Sequence, residues 1–198
     1  QHGFYITEIH SFDDTDKEQF FIRIEFRPDS EAEFDRQSFT TGFAPRAEKF
    51  SMEWQLSPKS YKPKVVIMVS KQDHCLNDLL YRWRIGSLAV DIQAIISNHP
   101  DCKDLATWHN IPYYHFPITS DTKAQQEAQI WQIVQQFDTD LVVLARYMQI
   151  LSNGMCQKLA GWAINIHHSL LPGFKGAKPY HQAYEKGIKL VGATAHYV

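Results

Sequence analysis

The sequence contains few cysteines and no large excess of either charge, and these shortages exclude several classes of protein. Three cysteines occur among 198 residues without a CxxC pair, so we expect neither a disulfide framework nor a thiolate zinc site. The formal net charge of −2 gives no basic excess of the kind that binds nucleic acid. No apolar run approaches the roughly 20 residues that a membrane helix needs. We therefore expect a cytoplasmic protein without a nucleic-acid or membrane partner.

Glycine is missing from the loop where a nucleotide-binding fold requires it. Residues 65–69 (VVIMV) form a continuous apolar run, which predicts a strand buried on both faces of a parallel sheet, and residues 70–77 (SKQDHCLN) follow it. Without glycine, backbone amides cannot approach a phosphate closely, so we expect no dinucleotide cofactor. The sequence also lacks a GxSxG motif and a plausible activated cysteine.

The first 57 residues predict a small β-β-α-β unit. Alternating apolar residues within residues 3–27 predict two strands joined by an acidic turn. A helix is predicted over about residues 31–50 with Ser30 as its N-cap, and residues 52–56 alternate as a short strand. Residues 58–63 are polar and contain proline, which predicts a linker.

Residues 64–198 predict a second, larger domain in which strands and helices alternate. After the strand at 65–69, the apolar patterns predict strands at 90–96, 113–116, 141–144, 163–166 and 191–198. They predict helices near 76–83, 103–109, 153–159 and 179–186, and between the strands at 113–116 and 141–144 a long helix with Ile130, Val134 and Phe137 on one face. This alternation predicts an α/β fold with a doubly wound, mostly parallel sheet.

The polar residues with the strongest functional pattern follow the strand predicted at 163–166. Alternation puts Asn165 and His167 on the same side of the strand end, roughly 7 Å apart along the backbone. An amide NH₂ and an imidazole N–H can both donate to an oxygen that gains negative charge during acyl or formyl transfer. A histidine can also exchange protons near pH 7. Either residue alone is more simply a capping or packing residue, but together with Ser169 and His196 they favour a functional site.

A metal site is the alternative that the histidines suggest. His167, His168, His181 and His196 lie in the last part of the chain, but no pair among them has the i, i+4 spacing of a zinc-peptidase motif. No Asp or Glu lies within residues 164–178 to complete such a site. We therefore expect no metal.

The run from Asn165 to Val198 closely resembles the catalytic half of the formyltransferase family. The doubled His167-His168, residues 176–184 (GAKPYHQAY) and residues 192–198 (GATAHYV) resemble most closely the branch that hydrolyses 10-formyltetrahydrofolate. The resemblance covers residues 64–198. Residues 1–57 resemble, by pattern, an ACT-type (ferredoxin-like, α+β) regulatory domain without its first strand and helix, so we expect the chain to be cut at both ends.

The resemblance implies roles for several residues. Asn165 and His167 would polarise the formyl oxygen and hold the oxyanion, and Ser169 and His196 would support that site, with His196 counted among the catalytic residues. The loop Met148, Gln149, Ile150 and Leu151 would receive the pterin through backbone groups. Gln149 stands where the family usually has Arg. The family's catalytic Asp would follow Val198, so the chain as given is expected to be inactive or weakly active.

The predicted function is hydrolysis of 10-formyltetrahydrofolate to formate and tetrahydrofolate, in one-carbon and purine metabolism. The folate is the substrate, and no other cofactor is expected. The resemblance further implies an amino-acid effector at the ACT-like domain and a homo-oligomer. A glycinamide ribonucleotide formyltransferase holds a phosphate with a Gly-rich turn after its first strand, so the glycine-free loop favours water as acceptor. Two alternatives stay open: formyl transfer to an amine, and a non-catalytic regulator that binds folate or an amino acid.

Overall fold

The computed structural model describes residues 3–29, 34–167, 179–189 and 192–198, and it divides the chain into two units. The first unit is Gln1–Tyr61 and the second is Lys62–Val198. In the first unit, strands β1 (Phe4–Asp14) and β2 (Gln19–Pro28) form an antiparallel hairpin, and helix α1 (Arg36–Lys49) follows them. The predicted hairpin is therefore confirmed, and the predicted helix is present but shorter.

Two predictions for the first unit are wrong in detail. Helix α1 begins at Arg36 rather than near residue 31, because Asp35 is its N-cap and its side chain accepts a hydrogen bond from the Ser38 N–H at 3.0 Å. Residues 52–56 form no strand. The Trp54 ring instead packs edge-on against Phe43 of α1, with the ring centroids 4.9 Å apart. The alternation at residues 52–56 thus reflects packing beside a helix rather than pairing in a sheet.

The second unit alternates strands and helices as predicted, with ends shifted by a few residues. Its elements are β3 (Lys64–Val69), α2 (His74–Arg84), β4 (Asp91–Ser97), α3 (Lys103–Trp108), β5 (Tyr113–His115), α4 (Lys123–Gln136), β6 (Leu141–Leu144), α5 (Asn153–Leu159), β7 (Ala163–His167), α6 (Pro179–Glu185) and β8 (Thr194–Tyr197). Among the described residues, none of the helices is both long and apolar enough to cross a membrane.

The six-stranded sheet has the order β5-β4-β3-β6-β7-β8, and only β8 runs antiparallel to its neighbour. The prediction of a mostly parallel sheet is therefore confirmed. From β3 the chain first builds the sheet outward to β4 and β5, and then returns to the other side of β3 to add β6. The topological switch point lies between β3 and β6, and the crevice at the carboxyl ends of such strands is the usual ligand site.

The apolar run of β3 is buried on both faces, which explains its lack of alternation. Val66 and Met68 pack into a cluster with residues of α4 and α5, and Ile67 packs into the opposite cluster with Leu76 and Leu80 of α2. All five of these side chains are at most 1% exposed. Burial of each contributes about 1.5–3 kcal/mol, so the sheet centre is a rigid base for the loops above it.

Candidate active site

Asn165 and His196 lie directly opposite each other on the antiparallel strands β7 and β8. His167 is opposite Thr194 in the same ladder. Directly opposed residues on antiparallel strands point to the same face of the sheet, and so do residues two positions apart. Asn165, His167 and His196 therefore share one face, and each is half-buried. This is the face whose Ala163 belongs to the cluster under α4 and α5.

Hydrogen bonds indicate the tautomer of His196. Its Nδ1 lies 2.8 Å from the Tyr197 carbonyl oxygen, and its Nε2 lies 3.4 Å from Asn165 Nδ2. A carbonyl oxygen can only accept, so Nδ1 carries the proton. In this tautomer Nε2 accepts from the Asn165 amide. The contact fixes the orientation of the Asn165 side chain, with its NH₂ group directed at the imidazole.

The other predicted site residues divide into two groups. Ser169 and His168 lie outside the described residues. Met148 and Ile150 are exposed, with 59% and 86% of their surfaces accessible, while Gln149 and Leu151 are half-exposed. All four belong to the loop that follows β6, and Leu144 at the end of β6 pairs with Asn165. The predicted folate-binding loop therefore follows β6, the strand that pairs with β7 and its Asn165.

A buried polar network anchors the loop after β6 to the centre of the sheet. The Met148 N–H donates to Ser70 Oγ at 2.9 Å, and Ser70 Oγ donates to Asn98 Oδ1 at 2.7 Å. Ser70 and Asn98 follow the ends of β3 and β4 and are only 2% and 7% exposed. Neither residue was among the predicted site residues. The available signal was that each is a polar residue immediately after a buried strand.

We expect Ser70→Ala to weaken substrate binding and to lower stability. The change leaves the Met148 N–H and the Asn98 amide oxygen without their partner, which costs about 1–3 kcal/mol of unfolding free energy. Because the released Met148 backbone belongs to the predicted folate-binding loop, KM should rise with a smaller change in kcat. Urea unfolding and steady-state kinetics of the full-length protein check this expectation, with Ser60→Ala as control because Ser60 is exposed in the predicted linker. A variant that loses stability but keeps its KM would show that Ser70 does not position the loop.

Helix α4 holds the same loop from its other side. Gln126 Nε2 donates to the Tyr147 hydroxyl at 3.1 Å, and the Ser152 N–H donates to Glu127 Oε1 at 2.8 Å. The Ser152 hydroxyl also donates to the Glu127 carboxylate. Tyr147 is 7% exposed, and its burial raises the pKa of its hydroxyl to about 12. The loop is thus tied at both ends, before Met148 and after Leu151.

The raised pKa of Tyr147 predicts a loss of stability in strong alkali. An exposed tyrosine in the unfolded chain releases its proton near pH 10, whereas folded Tyr147 retains it until about pH 12. The unfolded state therefore binds fewer protons across this window, so the free energy of unfolding falls as pH rises, by about 2–3 kcal/mol in total. Tyr147→Phe has no hydroxyl to titrate. Between pH 10 and 12 its free energy of unfolding should therefore fall less than that of the wild type. If the unfolding free energies of the two proteins fell equally with pH across this range, the expectation would be contradicted.

A polar cavity of about 410 Å³ lies beside the loop. Gln149 lines it together with residues that follow β4 and β5, and the α4 residue Lys123 contributes an ammonium group. The other lining residues are Asn98, His99, Pro117, Ile118, Thr119 and Ser120. The cavity therefore opens at the carboxyl ends of the strands and can accept an anionic group.

Neither Cys75 nor Cys102 has the lowered thiol pKa of a reactive cysteine. Burial raises the pKa of the Cys75 thiol, and it raises the pKa of the Cys102 thiol as well. Both groups are therefore protonated thiols at neutral pH. In the part of the chain that the structure describes, no three His, Cys, Asp or Glu side chains are grouped to hold a metal ion.

The sequence matches the model of the formyl transferase family over residues 63–198. A formyltetrahydrofolate deformylase of Corynebacterium sp. (strain P-1) is 48% identical over 198 residues, which cover 100% of this chain and 69% of that protein. A crystal structure of a formyltetrahydrofolate deformylase from Pseudomonas putida KT2440 superposes with a TM-score of 0.88 and 58% identity, over 100% of this chain and 70% of the other. The chain belongs to the formyl transferase family and, within it, to the formyltetrahydrofolate deformylases.

Transferases of the same fold are more distant. A phosphoribosylglycinamide formyltransferase from Coxiella burnetii superposes with a TM-score of 0.64 and 28% identity. That match covers 70% of this chain and 66% of the other. The transferase thus shares the catalytic fold, while both deformylase matches extend over the whole of this chain.

Proposed function

We propose that this protein is an enzyme that hydrolyses 10-formyltetrahydrofolate to formate and tetrahydrofolate. The observation that carries the proposal is the Asn165–His196 pair, which lies on the same sheet face as His167 at the carboxyl end of β7. The deformylase relatives, at 48% and 58% identity, support hydrolysis rather than transfer. A protein that only bound folate would not need convergent hydrogen-bond donors at this strand end.

In the proposed reaction, a water oxygen attacks the formyl carbon and the formyl oxygen gains negative charge. An amide nitrogen carries two hydrogens, so the bond from Asn165 to His196 leaves the second hydrogen to donate to this oxygen. His167 donates to the same oxygen from the same face. The bond from carbon to N10 then breaks, N10 receives a proton, and formate and tetrahydrofolate leave.

The loop Met148–Leu151 would bind the pterin through its backbone, because the loop is exposed and is held firmly at both ends. The cavity lined by Gln149 and Lys123 would take the anionic glutamate end of the folate. Gln149 can hydrogen-bond a carboxylate but carries no charge, so Lys123 would supply the attraction. The folate would thus extend along the carboxyl ends of the strands.

Lys123→Ala should raise KM for 10-formyltetrahydrofolate about 3–10-fold and leave kcat nearly unchanged, because an exposed ion pair contributes on the order of 1 kcal/mol. The control is Lys103→Ala at the start of α3, which does not line the cavity. Steady-state kinetics at low and high salt measure the effect, and the difference should shrink as salt increases. If both variants had the same KM, Lys123 would not contribute to substrate binding.

The N-terminal residues 1–57 would form an ACT-like regulatory domain, joined by the linker 58–63 to the catalytic domain 64–198. The β-β-α order of the hairpin and α1 supports this assignment. Ile9, Ile22 and Ile24 of the hairpin are 42–53% exposed, which supports pairing between subunits of a homo-oligomer. An amino acid would be the effector, and the cytoplasm would be the site of action.

The function is tested by incubating the full-length protein with 10-formyltetrahydrofolate and no amine. Formate release with many turnovers supports hydrolysis. Turnover only after an amine is added would favour a transferase, and a folded protein that binds folate without turnover would favour a regulator. These outcomes separate the three functions that the sequence left open.

A further inference from the structure

Two side chains meet across the switch point of the sheet. Arg146 follows β6 and Gln72 follows β3, and Arg146 Nη2 donates a hydrogen bond to Gln72 Oε1. These are the two strands between which the sheet reverses its direction of growth. Ligands of doubly wound folds usually enter the crevice at this point. In this protein the hydrogen bond between Arg146 and Gln72 crosses that crevice.

The backbone of Arg146 is unusual. Its φ of +65° lies in the left-handed region, where a side chain costs about 1–2 kcal/mol relative to glycine. Glu18, Ser51, Asn110 and Asp138 also have positive φ, but these four lie in turns, and the short polar side chains of Asn110 and Asp138 tolerate this conformation. Arginine has no such tolerance. Because arginine is retained at the end of a central strand, beside the candidate site, we infer that its side chain has a functional role.

The position of the guanidinium shows where that use lies. Arg146 is half-buried, and its positive charge acts on the Cys75 thiol of the α2 amino-terminal turn, although the effect of burial on that thiol is larger. The side chain thus extends from the end of β6 over the loop between β3 and α2. Its guanidinium therefore lies above the switch point, between the chain segments that follow β3 and β6.

We propose that the Arg146–Gln72 bridge is an acceptor barrier that fills the space where an amine substrate would approach the formyl group and leaves access to water. The proposal rests on the proposed hydrolysis and names the residues that determine its acceptor. A transferase of the same fold, such as the Coxiella burnetii enzyme, must admit a larger nucleophile than water. The bridge explains why this protein would exclude an amine that a transferase admits, because its side chains occupy the volume that the amine needs. The absence of glycine from the loop after β3 adds to this exclusion.

The two reactions differ only in the attacking atom. With water, oxygen bonds to the formyl carbon, the bond from carbon to N10 breaks, one water proton goes to N10, the other is released to solvent, and formate leaves. With a primary amine, nitrogen bonds to the carbon, the same bond breaks, the amine proton replaces the formyl group on N10, and a formamide leaves. A protein that lacks the barrier can therefore partition its substrate between formate and formamide.

The test measures this partition in the full-length protein with glycinamide as the added amine. Arg146→Ala removes the barrier, and Gln72→Ala releases Arg146 from its partner. Arg82→Ala is the control, because it removes an exposed guanidinium that pairs with Asp78 on α2. Mass spectrometry quantifies N-formylglycinamide and formate in each reaction. Hydroxylamine, which is close to water in size, serves as a second amine.

The ratio of N-formylglycinamide to formate should rise at least about tenfold in Arg146→Ala, and less in Gln72→Ala, because steric discrimination of this kind is worth about 1–3 kcal/mol. The ratio for hydroxylamine should change little, and Arg82→Ala should behave as the wild type. An unchanged glycinamide ratio in both variants overturns the proposal. So does a folded Arg146→Ala that makes neither product, because Arg146 would then act in hydrolysis itself. A wild type that releases no formate would refute the proposed function, a result distinct from these.

Discussion

Asn165→Ala is expected to lower kcat about 10²–10³-fold with little change in KM, because its amide would donate to an oxygen that becomes negative only in the transition state. The fold should tolerate the change. Asn165 is half-buried at the end of β7, and its side-chain partner is His196 at 3.4 Å. Single-turnover and steady-state formate release by the full-length variant would measure the loss.

The control for this expectation is Asn153→Ala, which changes an exposed asparagine at the start of α5. Asn153→Ala should retain wild-type kcat. His196→Ala provides a second comparison, because loss of the imidazole frees the Asn165 amide to rotate and should lower kcat by a smaller factor than loss of the amide itself. If Asn165→Ala kept the wild-type kcat, the site assignment would fail even though the family assignment stood.

His167→Ala is expected to lower kcat about 10²–10⁴-fold, as is usual when a positioned proton donor is removed. The imidazole would donate to the oxyanion and exchange protons with the leaving group, and alanine supplies neither. The rate profile against pH should also change shape, because the imidazole that would exchange protons with the leaving group is lost. His10→Ala, in the exposed hairpin of the first unit, is the matched control and should keep both kcat and the profile.

A small rate effect from His167→Ala would have a different meaning. An effect below about threefold with a normal pH profile would assign His167 to packing against the sheet rather than to chemistry. A large loss that added imidazole restored would support the catalytic role, because a purely structural defect is not repaired by a small molecule in solution.

The sheet was predictable because its central strands are buried on both faces. A run such as residues 65–69 has no polar position, and only a strand covered by helices on each side accommodates it. The segment 52–56 shows the limit of the same reasoning. Its alternation is real, but the periodicity of a sequence does not reveal whether the neighbour is another strand or, as for Trp54, the face of a helix.

The candidate site was predictable only in part. The two-residue spacing of Asn165 and His167 identified one face of one strand. The contact of Asn165 with His196, and the bond from Met148 to Ser70, join residues that are far apart in the chain. Such contacts depend on strand order and register, and no local pattern carries that information. The Arg146–Gln72 bridge was not predicted for the same reason, since it joins residues that follow different strands.

The most direct test of the account is the fate of a water oxygen. The full-length protein would be incubated with 10-formyltetrahydrofolate in H₂¹⁸O without any amine, and mass spectrometry would determine the isotopic composition of the formate. Attack by water on the formyl carbon predicts formate that carries one ¹⁸O atom, released together with tetrahydrofolate. Unlabelled formate, or no formate from a folded protein that binds the folate, would contradict the account.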